Sequence, residues 1–159
     1  MTKSLDLGCG LTPRNFFGAD IVYGIDIRDD VEAGIYKADL VTESIPFSDE
    51  TFDFVTAHDF LEHIPRLIYN PNRRNSFVEL MNEIWRVLKV NGQFLSVTPA
   101  YPYSEAFRDP THVNIITEET FSLYFDNKYC LARMYGFTGT FKIIDQKWNG
   151  PHLITLMSK

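Results

Sequence analysis

Three short apolar runs in the first third of the chain, Leu5 to Leu7, Ile21 to Ile25 and Phe52 to Ala57, each stop near a glycine or an acid. Runs of that length and abruptness mark strands buried on both faces of a parallel sheet. Weaker strands fit Tyr36 to Leu40 and Phe94 to Thr98. Helical patterns follow between Ile25 and Phe52 and again beyond Ala57. In the clearest, Phe77, Leu80, Met81, Ile84, Trp85 and Leu88 recur at helical spacing. That helix starts either at Asn70-Pro71 or at a Ser76/Glu79 capping box, and Asn91-Gly92 marks its stop. A second helix begins at Thr117, with Glu118 and Glu119 at its positive end and Phe121, Leu123 and Phe125 as apolar surface. Two last strands, Phe141 to Lys147 and Leu153 to Met157, flank the turn Asn149-Gly150-Pro151.

Strands alternating with helices call for a mostly parallel α/β sheet, and a closing pair with no helix between them calls for an antiparallel hairpin at one edge. The first two connections are short. About a dozen residues separate the first and second strands, so any crossover helix there shrinks to a turn or two.

With 159 residues, 45% of them hydrophobic, the chain can bury the core of one domain, residues 1–159, without metal or disulfide staples. Cys9 and Cys130 show no metal or disulfide-framework spacing and read as free thiols in a reducing compartment. No apolar run approaches membrane-spanning length, and the start has no signal-peptide pattern, so a cytoplasmic protein is expected. A net charge of −6, with Arg73-Arg74 as the one basic doublet, argues against gripping a phosphate backbone and favours a small substrate.

The run Leu5-Asp6-Leu7-Gly8-Cys9-Gly10 places two glycines where the first strand ends, so that a ligand can lie against bare backbone. Taken alone, such a turn also serves where no ligand binds. Asp26, ending the second strand in Tyr23-Gly24-Ile25-Asp26-Ile27, stands at the distance where an acid accepts hydrogen bonds from ribose hydroxyls. Asp39, in Ala38-Asp39-Leu40, is placed to take an adenine amine or else is a solvated turn residue. The third glycine of the dinucleotide fingerprint is missing, which counts against a nicotinamide oxidoreductase.

LDLGCG, the GID acid, PFSDETFDFV, HDFLEHI and RVLKVNGQFL, in that order over nearly the whole chain, resemble class I S-adenosylmethionine-dependent methyltransferases of the type 11-like group. A narrower likeness, in GCGLTPRNFFGADIVYGIDI and Arg108-Asp109-Pro110-Thr111-His112-Val113, is to a small bacterial and phage subgroup. The resemblance implies a Rossmann-like seven-stranded sheet, order 3-2-1-4-5-7-6, with an antiparallel last strand and trimmed N-terminal helices. It implies S-adenosylmethionine as cofactor, with Asp6, Leu7, Gly8, Cys9 and Gly10 along the methionine and ribose. Asp26 and Ile27 would then hold the ribose side, Asp39 and Leu40 the adenine, and Ala57 and His58 would cover the cofactor. The departure from the family is the missing helix ahead of strand one, whose covering role falls to the Tyr101 to Phe107 loop or to a second subunit.

Methyl transfer from a sulfonium is an in-line displacement in which alignment lowers the barrier by roughly 7–11 kcal/mol, and it requires no metal. A hydroxyl acceptor needs a base, for which His63 and His112 are the candidates, each with a structural role as the alternative. Tyr101, Tyr103 and Phe107 either stack on an acceptor or form a lid on the core. Arg108 either pairs with Asp109 or clamps an anionic acceptor. The Asn/Asp-Pro-Pro-aromatic motif of base methylation is replaced by Ala57-His58-Asp59-Phe60, so a small-molecule or saccharide O-methyltransferase leads. Protein or nucleic-acid methylation and a silent binding module are the competing readings.

Overall fold

The computed structural model describes residues 1–159. Its sheet elements are β1 (Lys3–Leu7), β2 (Ile21–Asp26), β3 (Ile35–Lys37), β4 (Phe52–His58), β5 (Ile68–Tyr69), β6 (Arg73–Arg74), β7 (Leu88–Pro99), β8 (Lys142–Asn149) and β9 (His152–Ser158). Two α-helices accompany them, α1 (Ser76–Val87) and α2 (Glu118–Tyr124). Seven strands form one sheet in the order β3-β2-β1-β4-β7-β9-β8, and β5 with β6 makes a separate small hairpin. Counting the main sheet alone, this is the expected 3-2-1-4-5-7-6 order. The last strand, β9, lies antiparallel to both neighbours, and all pairs from β3 to β7 are parallel. Parallel order brings the carboxyl ends of β1, β2, β4 and β7 to one edge, where ligands of such sheets bind.

Several local expectations are corrected. No helix stands between β1 and β2 or between Asp26 and Phe52; both connections run as turns. Pro13 and three glycines, at 8, 10 and 18, fall in the first connection, and the Asn15 side chain closes its turn by bonding both the amide and the carbonyl of Ala19. The helix does not start at Asn70-Pro71, which lies in the hairpin segment. The capping box does not form either. Ser76 is the first helical residue and its hydroxyl donates to the Val41 carbonyl, while Glu79 pairs with Arg74. The helix stops at Val87, because Leu88 already takes an extended conformation as the first residue of β7.

The core wraps around α1, whose Phe77, Leu80, Met81, Ile84 and Val87 are buried against the sheet. Thr117 and Thr120 close the capping box that starts α2. Two stretches noted in the sequence have architectural roles. Arg86 donates to the carbonyls of Ile45 and Phe47 and to Asp49, which straps the 45–49 loop onto α1, and Lys89 pairs with Asp53 at 2.8 Å.

Candidate active site

The turn after β1 is built from inside outward. Asp6 is fully buried, and its carboxylate accepts hydrogen bonds from the Thr56 hydroxyl at 2.6 Å and the Arg14 amide at 2.8 Å. Burial pushes this carboxyl above its ordinary range against the pull of those bonds. Asp6 therefore pins both ends of the turn rather than facing a ligand with its side chain. Gly8 and Gly10 both sit at φ +64°, the left-handed region. A Cβ on Gly8 would fall 2.3 Å from the Phe60 ring, whereas one on Gly10 would meet nothing within 4 Å. Gly8 thus makes room for protein, and Gly10 leaves open space beside the backbone.

Asp26 joins this turn directly, accepting from the Gly10 amide at 3.0 Å and from the Arg28 side chain at 2.9 Å. Burial alone would raise its pKa, but the Arg28 and Gly10 hydrogen bonds outweigh it and hold the carboxyl below the ordinary range. Ile27, beside it, is 67% exposed. Gly24 on β2 was not singled out by sequence reasoning. A Cβ there would lie 2.4 Å from Cys9 Sγ and 2.7 Å from Pro13, so this bare position seats the whole turn. Burial, with Asp6 and Asp26 nearby, pushes the Cys9 thiol up to about 11.

The remaining cofactor candidates divide by exposure. Leu7, Leu40 and Ala57 are buried core residues that can offer a ligand only backbone. Asp39 is exposed two residues beyond β3, its carboxylate capping the Val41 amide in a local turn. His58, last in β4, has a buried Nε2 without a hydrogen-bond partner, and burial followed by the Arg14 charge lowers its pKa, so its ring is neutral. The groove beside Gly10 is open. The larger cavities lie elsewhere, one of about 670 Å³ between α1 and α2 near Arg66, Phe77 and Tyr124, and one of about 250 Å³ near Leu40 and Ser76.

At the ends of β4 and β7 the two histidine candidates come together. Their rings meet edge to face with centroids 4.8 Å apart. A short 3-10 turn, Leu61–His63, carries the first, and Glu62 at its middle is buried. The backbone carbonyl of Glu62 accepts from the amides of Val113 and Asn114, which docks the His112 loop on this turn. His112 Nδ1 lies 3.1 Å from the Glu105 carbonyl, and His63 Nδ1 lies 3.0 Å from the Thr111 hydroxyl. Sequence reasoning missed Glu62, Asn114 and Thr98; only the burial of polar side chains at a strand end reveals them.

The acceptor-side residues surround this cluster loosely. Tyr101 and Tyr103 are 56% and 42% exposed, with Tyr101 against Phe107 and Tyr103 against Trp148. The expected Arg108–Asp109 pair is not made. Arg108 faces Glu105 at 3.4 Å, while Asp109 accepts from the hydroxyl and amide of Thr111, which hold its pKa low.

A family model described as a methyltransferase domain matches residues 5–96. Among solved structures, the chain is similar to an S-adenosylmethionine-dependent methyltransferase from Archaeoglobus fulgidus at 17% identity and TM-score 0.63, covering 99% of this chain and 86% of that one. It is similar to a Mesorhizobium loti S-adenosylmethionine-dependent methyltransferase at 15% identity and TM-score 0.62, covering 99% and 90%. Likeness to the YcgJ protein of Bacillus subtilis, at 21% identity and TM-score 0.59, covers 93% of this chain and 65% of that one. No curated protein matches the chain significantly.

Proposed function

This chain belongs to the methyltransferase domain family, and from that premise we propose that it methylates an oxygen of a small-molecule or saccharide acceptor at the ends of β4 and β7. It is an S-adenosylmethionine-dependent enzyme. The residues suit that cofactor, because Gly10 leaves the turn open and Asp26 stands charged beside it. When bound, the cofactor supplies an activated methyl group whose bonding pair stays with sulfur.

The chain's own groups then have separable tasks. Asp26 accepts from the ribose hydroxyls, displacing or sharing the exposed Arg28. Ile27 flanks the adenine, with Asp39 at the far end, and the backbone of Leu7, Gly8 and Cys9 runs along the methionine. The unpartnered His58 Nε2 is left for a polar group of the ligand. Nδ1 of His63 and of His112 is each spoken for, which frees Nε2 to receive the acceptor's proton. Tyr101, Tyr103 and Arg108 form the rim that admits the acceptor. The acidic charge of −6 favours a small or saccharide acceptor over nucleic acid. No helix is long and apolar enough to cross a membrane. We take residues 1–159 as one domain acting in the cytoplasm, with a second copy as one means of covering the open groove.

The observation that carries the reading is the hydrogen bond between Gly10 and Asp26, which makes the glycine turn and the ribose acid one unit. Titration calorimetry with S-adenosylmethionine, S-adenosylhomocysteine and NADH tests it. Binding of the two adenosyl ligands alone, lost in Asp26→Ala, is expected; NADH binding in their place overturns the reading. Turnover on an acceptor panel, reduced in His112→Ala, separates an enzyme from a silent module.

A further inference from the structure

We propose that Glu62, His63 and His112 form a binding site for one divalent transition cation at the acceptor end of the groove. One ligand atom from each residue lies within 4.8 Å of the other two. Two imidazoles and one carboxylate are a donor set suited to zinc, cobalt, manganese or ferrous iron, with the remaining positions open to water or substrate.

The second observation is Glu62 itself. It is 1% exposed, its Oε2 accepts from the Thr98 hydroxyl at 2.9 Å, and its Oε1 is buried with no partner. A buried carboxylate oxygen without a donor is costly, and a cation is the partner that offsets the cost most fully. Packing alone gives no reason to keep an acid there.

The surroundings preorganise the imidazoles as ligands. His112 Nδ1 donates to the Glu105 carbonyl, an assignment forced because a carbonyl only accepts. The Thr111 hydroxyl gives its proton to Asp109 at 2.7 Å, so its oxygen is free to accept from His63 Nδ1 at 3.0 Å. Both rings therefore carry the lone pair on Nε2, the tautomer that binds metal. A carbonyl behind one ring and a hydroxyl–carboxylate relay behind the other are the usual outer partners of metal-binding histidines. Bound zinc needs ligands about 2.0–2.2 Å from the metal and hence about 3.4 Å from one another, so the three side chains must draw in slightly on binding.

Cation binding stands on the cluster alone; its use in catalysis rests on the function proposed above. A hydroxyl of the acceptor coordinated at an open position ionises near neutral pH, its proton leaving to water, and the alkoxide attacks the methyl carbon. An acceptor with a second oxygen next to that hydroxyl would chelate, which points to vicinal diols or hydroxy acids.

The test uses the whole chain, stripped with chelator, and needs neither cofactor nor acceptor. Cobalt(II) should give ligand-field absorption saturating at one ion per chain, with zinc displacing it. His112→Ala and Glu62→Gln should each weaken binding by at least tenfold. In wild type, zinc should shift the Nε2 resonances of His63 and His112 and leave His152 unmoved, a readout that survives if a variant fails to fold. Cobalt binding unchanged in both variants, unmoved resonances, or no ion bound overturns the proposal. S-adenosylmethionine affinity of the stripped chain is measured in parallel, so loss of the methyltransferase reading is distinguishable from loss of this one.

Discussion

Gly10 donates its amide to the Asp26 carboxylate at 3.0 Å, so two features sixteen residues apart in sequence are one structural unit. Removing the acid removes both a support of the turn and the acceptor for ribose. Hydrogen bonds to a charged group contribute about 1.5–3 kcal/mol, so Asp26→Ala should weaken S-adenosylmethionine binding about 10- to 100-fold. Arg28 is the control. Its side chain is 61% exposed, and exposed pairs contribute about 0–1 kcal/mol, so Arg28→Ala should move the affinity by no more than about fivefold. Calorimetry on the two variants decides; a larger loss at Arg28 would make the arginine part of the binding site.

Gly10 and Gly24 are glycines for different reasons, and alanine separates them. At Gly10 the added Cβ meets nothing, so folding bears only the left-handed backbone cost of about 1 kcal/mol, while a ligand lying on that backbone is blocked. At Gly24 the Cβ collides with Cys9 and Pro13, and overpacking costs about 1–3 kcal/mol while shifting the turn. Gly10→Ala should lose affinity with little loss in thermal stability, and Gly24→Ala should lose both. Equal stability losses in a melting experiment would contradict this division.

What the sequence made legible was what its local chemistry dictates. Strand positions β1, β2, β4 and β7, their order, and the Gly10–Asp26 pairing followed from apolar runs ended by glycine or acid. The connections did not follow, since a turn closed by the Asn15 side chain and a helix that passes into β7 without a break depend on contacts invisible to periodicity. Asp6 was read as facing the cofactor because it stands in the motif, yet Thr56, fifty residues away, holds its carboxylate inside the protein. Glu62, His63 and His112 form a cluster from two distant loops, and no spacing rule reaches across that gap.

Buried Asp6 also sets a pH dependence. Its pKa in the folded state is above the ordinary 3.8, so between those values the folded chain binds more protons than the unfolded one. Its contribution is present at low pH and is lost as pH rises through the folded pKa. Asp6→Asn removes this dependence while leaving an oxygen to accept from Arg14. Measured by urea denaturation across pH 4 to 8, the stability of wild type relative to Asp6→Asn should fall as pH rises. A difference that stays flat would mean that Asp6 titrates as if solvated.

Asn114 carries the last expectation, because it joins the two loops that bring the histidines together. It is 1% exposed, its amide nitrogen donates to the Leu61 carbonyl at 3.1 Å, and its side-chain oxygen accepts from Arg66 at 2.7 Å. Asn114→Ala leaves a buried carbonyl and a guanidinium without these partners, at a cost of about 1–3 kcal/mol. The loop bearing His112 then loses its side-chain anchor while the Gly10–Asp26 unit is untouched. The variant should melt lower and turn over an acceptor more slowly, yet bind S-adenosylhomocysteine with wild-type affinity. Loss of cofactor affinity in a folded Asn114→Ala chain would show that the acceptor loop and the glycine turn are coupled and not independent halves of the site.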